Sequence, residues 1–130
     1  TGHLFADEAT GQHFDWIVPI PRARVAGQLV VAGELRNVSG IGYHDHNWGN
    51  LYLRSAFRRW TWGRVLTADW TLLFGDVVGR AEGREETPHV RPFMLAQGQE
   101  ILLTTDRIHI VEEDLTRESR TGVDYSAIFA

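Results

Sequence analysis

The chain has no cysteine and no lysine. Without cysteine there is no disulfide framework, no thiolate nucleophile and no Cys-ligated zinc. All thirteen basic residues are arginine, scattered among seventeen carboxylates for a net charge of -4. That balance argues against a surface that tracks phosphates, so no nucleic-acid partner is expected. Long apolar runs are missing as well: none approaches the roughly eighteen residues that span a bilayer, so no transmembrane segment is expected. The reading is of a soluble protein, cytoplasmic rather than secreted. Helical periodicity is also absent, since apolar residues nowhere recur at three and four over a dozen positions.

What the sequence has is alternation. Two-residue patterning predicts strands over 13–18, 27–35, 42–48, 51–57, 59–66, 67–78, 90–96, 100–105 and 107–112, about eight or nine in all once neighbours merge. Turn chemistry separates them. Pro19-Ile20-Pro21 and Val38-Ser39-Gly40 end strands, residues 79–88 form a polar loop, and Gln97-Gly98-Gln99 is a hairpin tip. Residues 115–130 are a loop feeding one last strand at 123–128. At 130 residues the chain fits one domain with a real core. The fold expected is all-β and antiparallel, a barrel or a two-sheet sandwich, with the barrel preferred because it abolishes sheet edges and encloses room for one ligand.

One stretch is not explained by packing. In Gly40-Ile41-Gly42-Tyr43-His44-Asp45-His46-Asn47-Trp48-Gly49, six polar or aromatic residues stand in a row between glycines. If the run is extended, His44, His46 and Trp48 share one face and Tyr43, Asp45 and Asn47 the other. Downstream, Trp60 and Trp62 share a face with Arg64, and Trp70 and Phe74 share one with Asp76. Such side chains could wall a pocket for an apolar small molecule, with few polar groups to orient it. The competing reading is that Trp60, Trp62, Trp70 and Phe74 are plain core and that the His44-Asp45-His46 run is a hydrogen-bond network. His3, His13, His89 and His109 read as surface or satisfied core histidines.

His-x-His spacing on a strand can grip one metal ion. A metal-binding cupin would add a glutamate a few residues on, but Asn50 and Leu51 stand there and the next acid is Asp69. No metal and no other cofactor is expected. A serine hydrolase lacks its Gly-x-Ser-x-Gly elbow, and phosphate cradling lacks its Gly-rich loop.

The string Gly42-Tyr43-His44-Asp45-His46-Asn47-Trp48-Gly49, followed by Trp60-Thr61-Trp62-Gly63-Arg64, resembles the signature of the carotenoid 1,2-hydratase (hydroxyneurosporene synthase) family of lipocalin-like proteins, a superfamily that also holds lipocalin-like cyclases. The resemblance implies one lipocalin-like domain, spanning residues 1–130 and excised from a longer two-domain protein, whose partners are a hydrophobic small molecule and the second lipocalin-like domain. It carries the family's motif His and Trp to His46 and Trp48, and a downstream Tyr-x-Asp pair to Phe74-Gly75-Asp76, where the acid is kept and the phenol is not. The function expected is acid–base hydration or cyclisation of an apolar polyene or terpenoid-like substrate. His44, Asp45, His46, Trp48 and Asp76 are the catalytic candidates, with His46 or Asp76 protonating an alkene and Asp45 tuning a neighbouring histidine. Tyr43, Asn47, Trp60, Trp62, Arg64, Trp70 and Phe74 are the ligand-binding candidates. The assignment requires His46 and Asp76 to face one cavity. The alternative is a non-catalytic carrier of a hydrophobic molecule.

Overall fold

The structure, a computed structural model, describes residues 2–80 and 89–129. Its elements are β1 (His3–Asp7), β2 (Gln12–Val31), β3 (Glu34–Gly49), the single-turn α1 (Leu53–Ala56), β4 (Phe57–Leu66), β5 (Trp70–Gly79), β6 (His89–Val90), β7 (Phe93–Gln97), β8 (Glu100–Thr105), β9 (Glu112–Arg117) and β10 (Asp124–Phe129). A first sheet runs β1-β2-β3, a second runs β4-β5-β7-β8 with β6 also on β5, and β9 pairs β10. Every pairing is antiparallel.

The chain is thus an all-β antiparallel sandwich. The preferred barrel does not close: among the described residues β3 does not pair β4, because the turn of helix between them carries the chain from one sheet to the other. Aromatic rings hold the two layers together. Phe14 meets Phe57 and Trp60, each with ring centres 5.6 Å apart, and Trp16 meets Trp60 at 5.8 Å, all edge-on. Leu4, Phe14, Trp16, Phe57 and Val77 form the buried cluster. No helix among the described residues is long and apolar enough to cross a membrane.

Several boundaries differ from the sequence reading. Pro19 and Pro21 do not end a strand; β2 continues through them, and the register shifts between Ile17 and Ile20 and again between Ile20 and Ala23. Each proline, lacking an N–H, sits where the ladder is already interrupted by a bulge. Val38-Ser39-Gly40 lies inside β3, and the true turn is Ala32-Gly33, both at positive φ (52° and 84°), as a two-residue hairpin requires. The strand expected over 27–35 is therefore that hairpin's tip. Residues 51–57 contain α1, and 107–111 carry no strand. The tip at Gly98 is as expected, with φ 59° and its N–H donated to Asp69 O at 2.7 Å. The polar loop read over 79–88 lies, beyond Arg80, outside the described residues.

Candidate functional site

Register decides where the motif run points. Asn47 is opposite Trp16 and Gly49 opposite Phe14, both on the core side, so Tyr43, Asp45 and Asn47 face the second sheet. His44, His46 and Trp48 face outward, opposite Ile20, Ile17 and Asp15. The His46 and Trp48 rings stack there, 5.5 Å apart and 20° from parallel, with Trp48 40% exposed. Apolar residues of the same face extend along the ribbon: Ile17, Ile20, Val25, Leu29, Val31 and Val38 are all exposed.

Between the sheets, Asp45 Oδ2 accepts hydrogen bonds from Trp16 Nε1–H at 2.9 Å and from the Tyr43 hydroxyl at 3.0 Å. Asp45 therefore does not reach the histidines it was expected to tune; its own strand lies between them. The Tyr43 ring stacks on Trp62 at 5.6 Å, and the Arg64 guanidinium lies 4.7 Å from the Tyr43 ring centre. Trp16, Asp45, Asn47, Trp60 and Trp62 line an open cleft of about 270 Å³. Trp60 Nε1, on the cleft wall, and Arg64 Nη1, on the side chain that lies over Tyr43, are buried with no hydrogen-bond partner among the described residues. A larger hollow of about 620 Å³, near Leu4, Phe57 and Val77, contains none of the motif residues.

Burial, then the hydrogen bond to Asp45 and its charge, push the Tyr43 phenol well above its ordinary value of 10, with Arg64 opposing. Tyr43 is therefore a neutral donor. Because the folded state holds this proton more tightly than the unfolded state, its contribution is complete below pH ~10 and is lost as pH rises beyond that. Urea unfolding at pH 9 and pH 11 should show the native protein losing stability over this interval, and Tyr43→Phe losing distinctly less. Equal losses in both proteins would show that Tyr43 does not carry this dependence.

Asp76 lies on the outward face of the second sheet, opposite Thr61 on β4, with its carboxylate 4% exposed. Its Oδ1 meets His89 Nδ1 at 2.8 Å and Arg91 Nε at 3.2 Å, and its Oδ2 meets Arg59 Nη2 at 3.3 Å. Arg59 in turn bonds Glu112 of β9 at 2.7 Å. His46 and Asp76 thus occupy outward faces of opposite sheets and share no cavity, so the two cannot be alternative acids at one site. Phe74 shares Asp76's face and is half-buried, its ring so close over Gly63 that a Cβ there would fall 2.3 Å from it. Trp70, at the strand end, is 39% exposed and away from the cleft.

The sequence reading missed a second cluster on the outward face of the first sheet. Asp15 is 2% exposed, its carboxylate paired with His3 Nδ1 and 3.7 Å from His13 Nε2. The three lie twelve and two residues apart in sequence, and strand pairing alone brings His3 to Asp15. The described residues hold no group of three or more His, Asp or Glu arranged to hold a metal ion.

The chain is 28% identical over 123 residues to hydroxyneurosporene dehydrogenase of Chlorobaculum tepidum, covering 88% of this chain and 32% of that protein. It is 37% identical over 76 residues to acyclic carotenoid 1,2-hydratase of Cereibacter sphaeroides, covering 58% and 26%. It is 45% identical over 47 residues to the quinolone epoxide rearrangement protein asqO of Emericella nidulans, covering 36% and 13%. The chain therefore spans about a third or less of the length of these curated relatives. No solved structure matches it. The family model described as carotenoid hydratase CrtC matches residues 2–120, a span that takes in both sheets, the inner cleft and the His46–Trp48 face, and the chain belongs to that family.

Proposed function

We propose that the outward face of β1-β2-β3 forms one wall of an acid–base site that hydrates or cyclises an apolar polyene or terpenoid-like substrate, and that a second lipocalin-like domain of the longer protein covers it. The observation that carries this reading is the His46–Trp48 stack, set among exposed apolar side chains of the same face, Ile17, Ile20, Val25, Leu29 and Val31. An apolar stripe of that extent on a soluble domain marks a surface that is covered in use. The reading is also supported by the relative named acyclic carotenoid 1,2-hydratase.

His46 would give its proton to one alkene carbon, the π pair forming the new C–H bond. The cation left on the neighbouring carbon would lie over the Trp48 ring, whose electron-rich face attracts positive charge. Capture by water gives hydration; capture by a second double bond of the same substrate gives cyclisation. His44, two residues along the same face, would line the approach.

The test incubates the full-length protein and its His46→Ala and Trp48→Ala variants with a panel of polyenes, following products by mass spectrometry. His46→Ala should cut turnover about a hundredfold, the size of a lost general acid. Trp48→Ala should cut it about tenfold, an energy of ~1.4 kcal/mol that falls within the range of a partly desolvated cation–π contact. Turnover by His46→Ala equal to native would end this assignment.

A second reading is favoured by the unpartnered Trp60 Nε1 on the cleft wall: the inner cleft binds a hydrophobic molecule, and the protein is a carrier. At about 270 Å³ the cleft is below the ~300–1,000 Å³ that encloses a drug-sized ligand, so it would seat one end of a polyene rather than store the whole of it. Asp45→Asn would then weaken ligand-induced quenching of tryptophan fluorescence while His46→Ala leaves it unchanged.

A further inference from the structure

We infer that His3 is the general base of the outward-face site and Asp15 its positioning residue, an inference that rests on the acid–base reading of that face. His3, Asp15 and Trp48 are register partners in one row across the three strands: His3 pairs Asp15 on β1 and β2, and Asp15 pairs Trp48 on β2 and β3. His46 is the next residue of β3 on that face, paired with Ile17 and stacked on Trp48. Trp48 is thus the corner of the arrangement, with His46 along its own strand and the Asp15–His3 pair across the sheet, so a cation over the indole would have a proton source on one edge and a group to prepare the water on the other.

A carboxylate 3% exposed is costly to bury unless paired, and packing does not call for one here. Among the described residues its partners are imidazoles. Accepting from His3 Nδ1–H fixes that ring's tautomer and leaves the Nε2 lone pair free on a side chain 61% exposed. Trp16 N–H, donated to Gly2 O at 2.7 Å, fixes the backbone just before His3. His13, His44 and His46 also face this side, so four of the chain's six histidines share it with Asp15.

In the step proposed, His46 protonates the alkene and water adds to the cation beside Trp48. His3 Nε2 takes one water proton as the C–O bond forms. The products are the alcohol, neutral His46 and imidazolium His3, and exchange with solvent returns both rings to their starting states. Asp15 stays a carboxylate throughout.

The test uses the full-length protein with the polyene panel, beside ¹⁵N NMR of the His3 ring. His3→Gln, whose side-chain amide can still donate to Asp15, should lower kcat at least tenfold with KM within twofold, while its melting midpoint stays well above the assay temperature. Asp15→Asn should lower kcat similarly and turn the neutral His3 ring to its other tautomer, and the double variant should be no worse than either single one, because the two act as a unit. Native turnover by His3→Gln, while His46→Ala is inactive, would overturn this inference and leave the site reading standing. No turnover of any polyene by the native protein would overturn both.

Discussion

Trp16→Ala should lower unfolding free energy by about 4 kcal/mol, a large part of the ~5–15 kcal/mol that holds a domain of this size folded. Trp16 is 8% exposed and packs between the two sheets. Its ring lies edge-on to Trp60 and rests against Gly75 of β5, where an added Cβ would come within 3.3 Å of it. Its N–H satisfies Asp45 at 2.9 Å. Truncation opens a ring-sized void between the layers and leaves Asp45 with the Tyr43 hydroxyl alone. Trp16→Phe keeps most of the packing and loses the N–H, so it should cost only ~1.5–3 kcal/mol, the worth of a hydrogen bond to a charged group. Urea denaturation read by circular dichroism separates the two variants. A Trp16→Ala loss under ~1 kcal/mol would mean that the sheets are held together elsewhere.

How much of this was legible in the sequence depends on what each residue's partner is. Alternation placed His44, His46 and Trp48 on one face, because a strand's two-residue period is a local property. It did not say which face meets the second sheet. That choice is made by Trp16 Nε1 and the Trp62 ring, which take up Asp45 and Tyr43 from other strands. The prolines were read as turn residues that end a strand, and the outcome differs: β2 runs through them, because each sits at a bulge where its missing N–H breaks no ladder bond, and the pairing with β3 resumes beyond. Ala32-Gly33 hid its turn because alanine at φ 52° is not a usual occupant of that conformation. Asp15, His3 and His13 carried no signal at all, since nothing in the spacing of residues 3, 13 and 15 announces that β1 folds back along β2. The aromatics of β4 were legible as packing and as cleft wall alike, and the structure gives both roles to Trp60, which touches Phe14 and lines the cleft.

Asp76→Ala should destabilise the fold by about 3 kcal/mol, at the low end of the ~3–5 kcal/mol for breaking a buried ion pair because Arg59 and Arg91 keep contact with water. The native carboxylate holds Arg59, His89 and Arg91 together on the outward face of the second sheet, and Arg59 passes the connection on to Glu112. Without Asp76, two guanidiniums stand side by side with one carboxylate, on β9, left to answer them. The loss should therefore spread to the β9–β10 hairpin, and hydrogen exchange at residues 112–117 should speed up more than exchange in β2. A cycle with Arg91→Met should return a coupling energy of ~1–2 kcal/mol, as expected for groups sharing one network. This prediction also separates structure from chemistry at the position to which the family's motif carries an acid. If Asp76→Ala keeps its native unfolding midpoint and yet abolishes polyene turnover, Asp76 acts on the substrate, and the outward face of the second sheet, rather than that of the first, is where the proton is delivered.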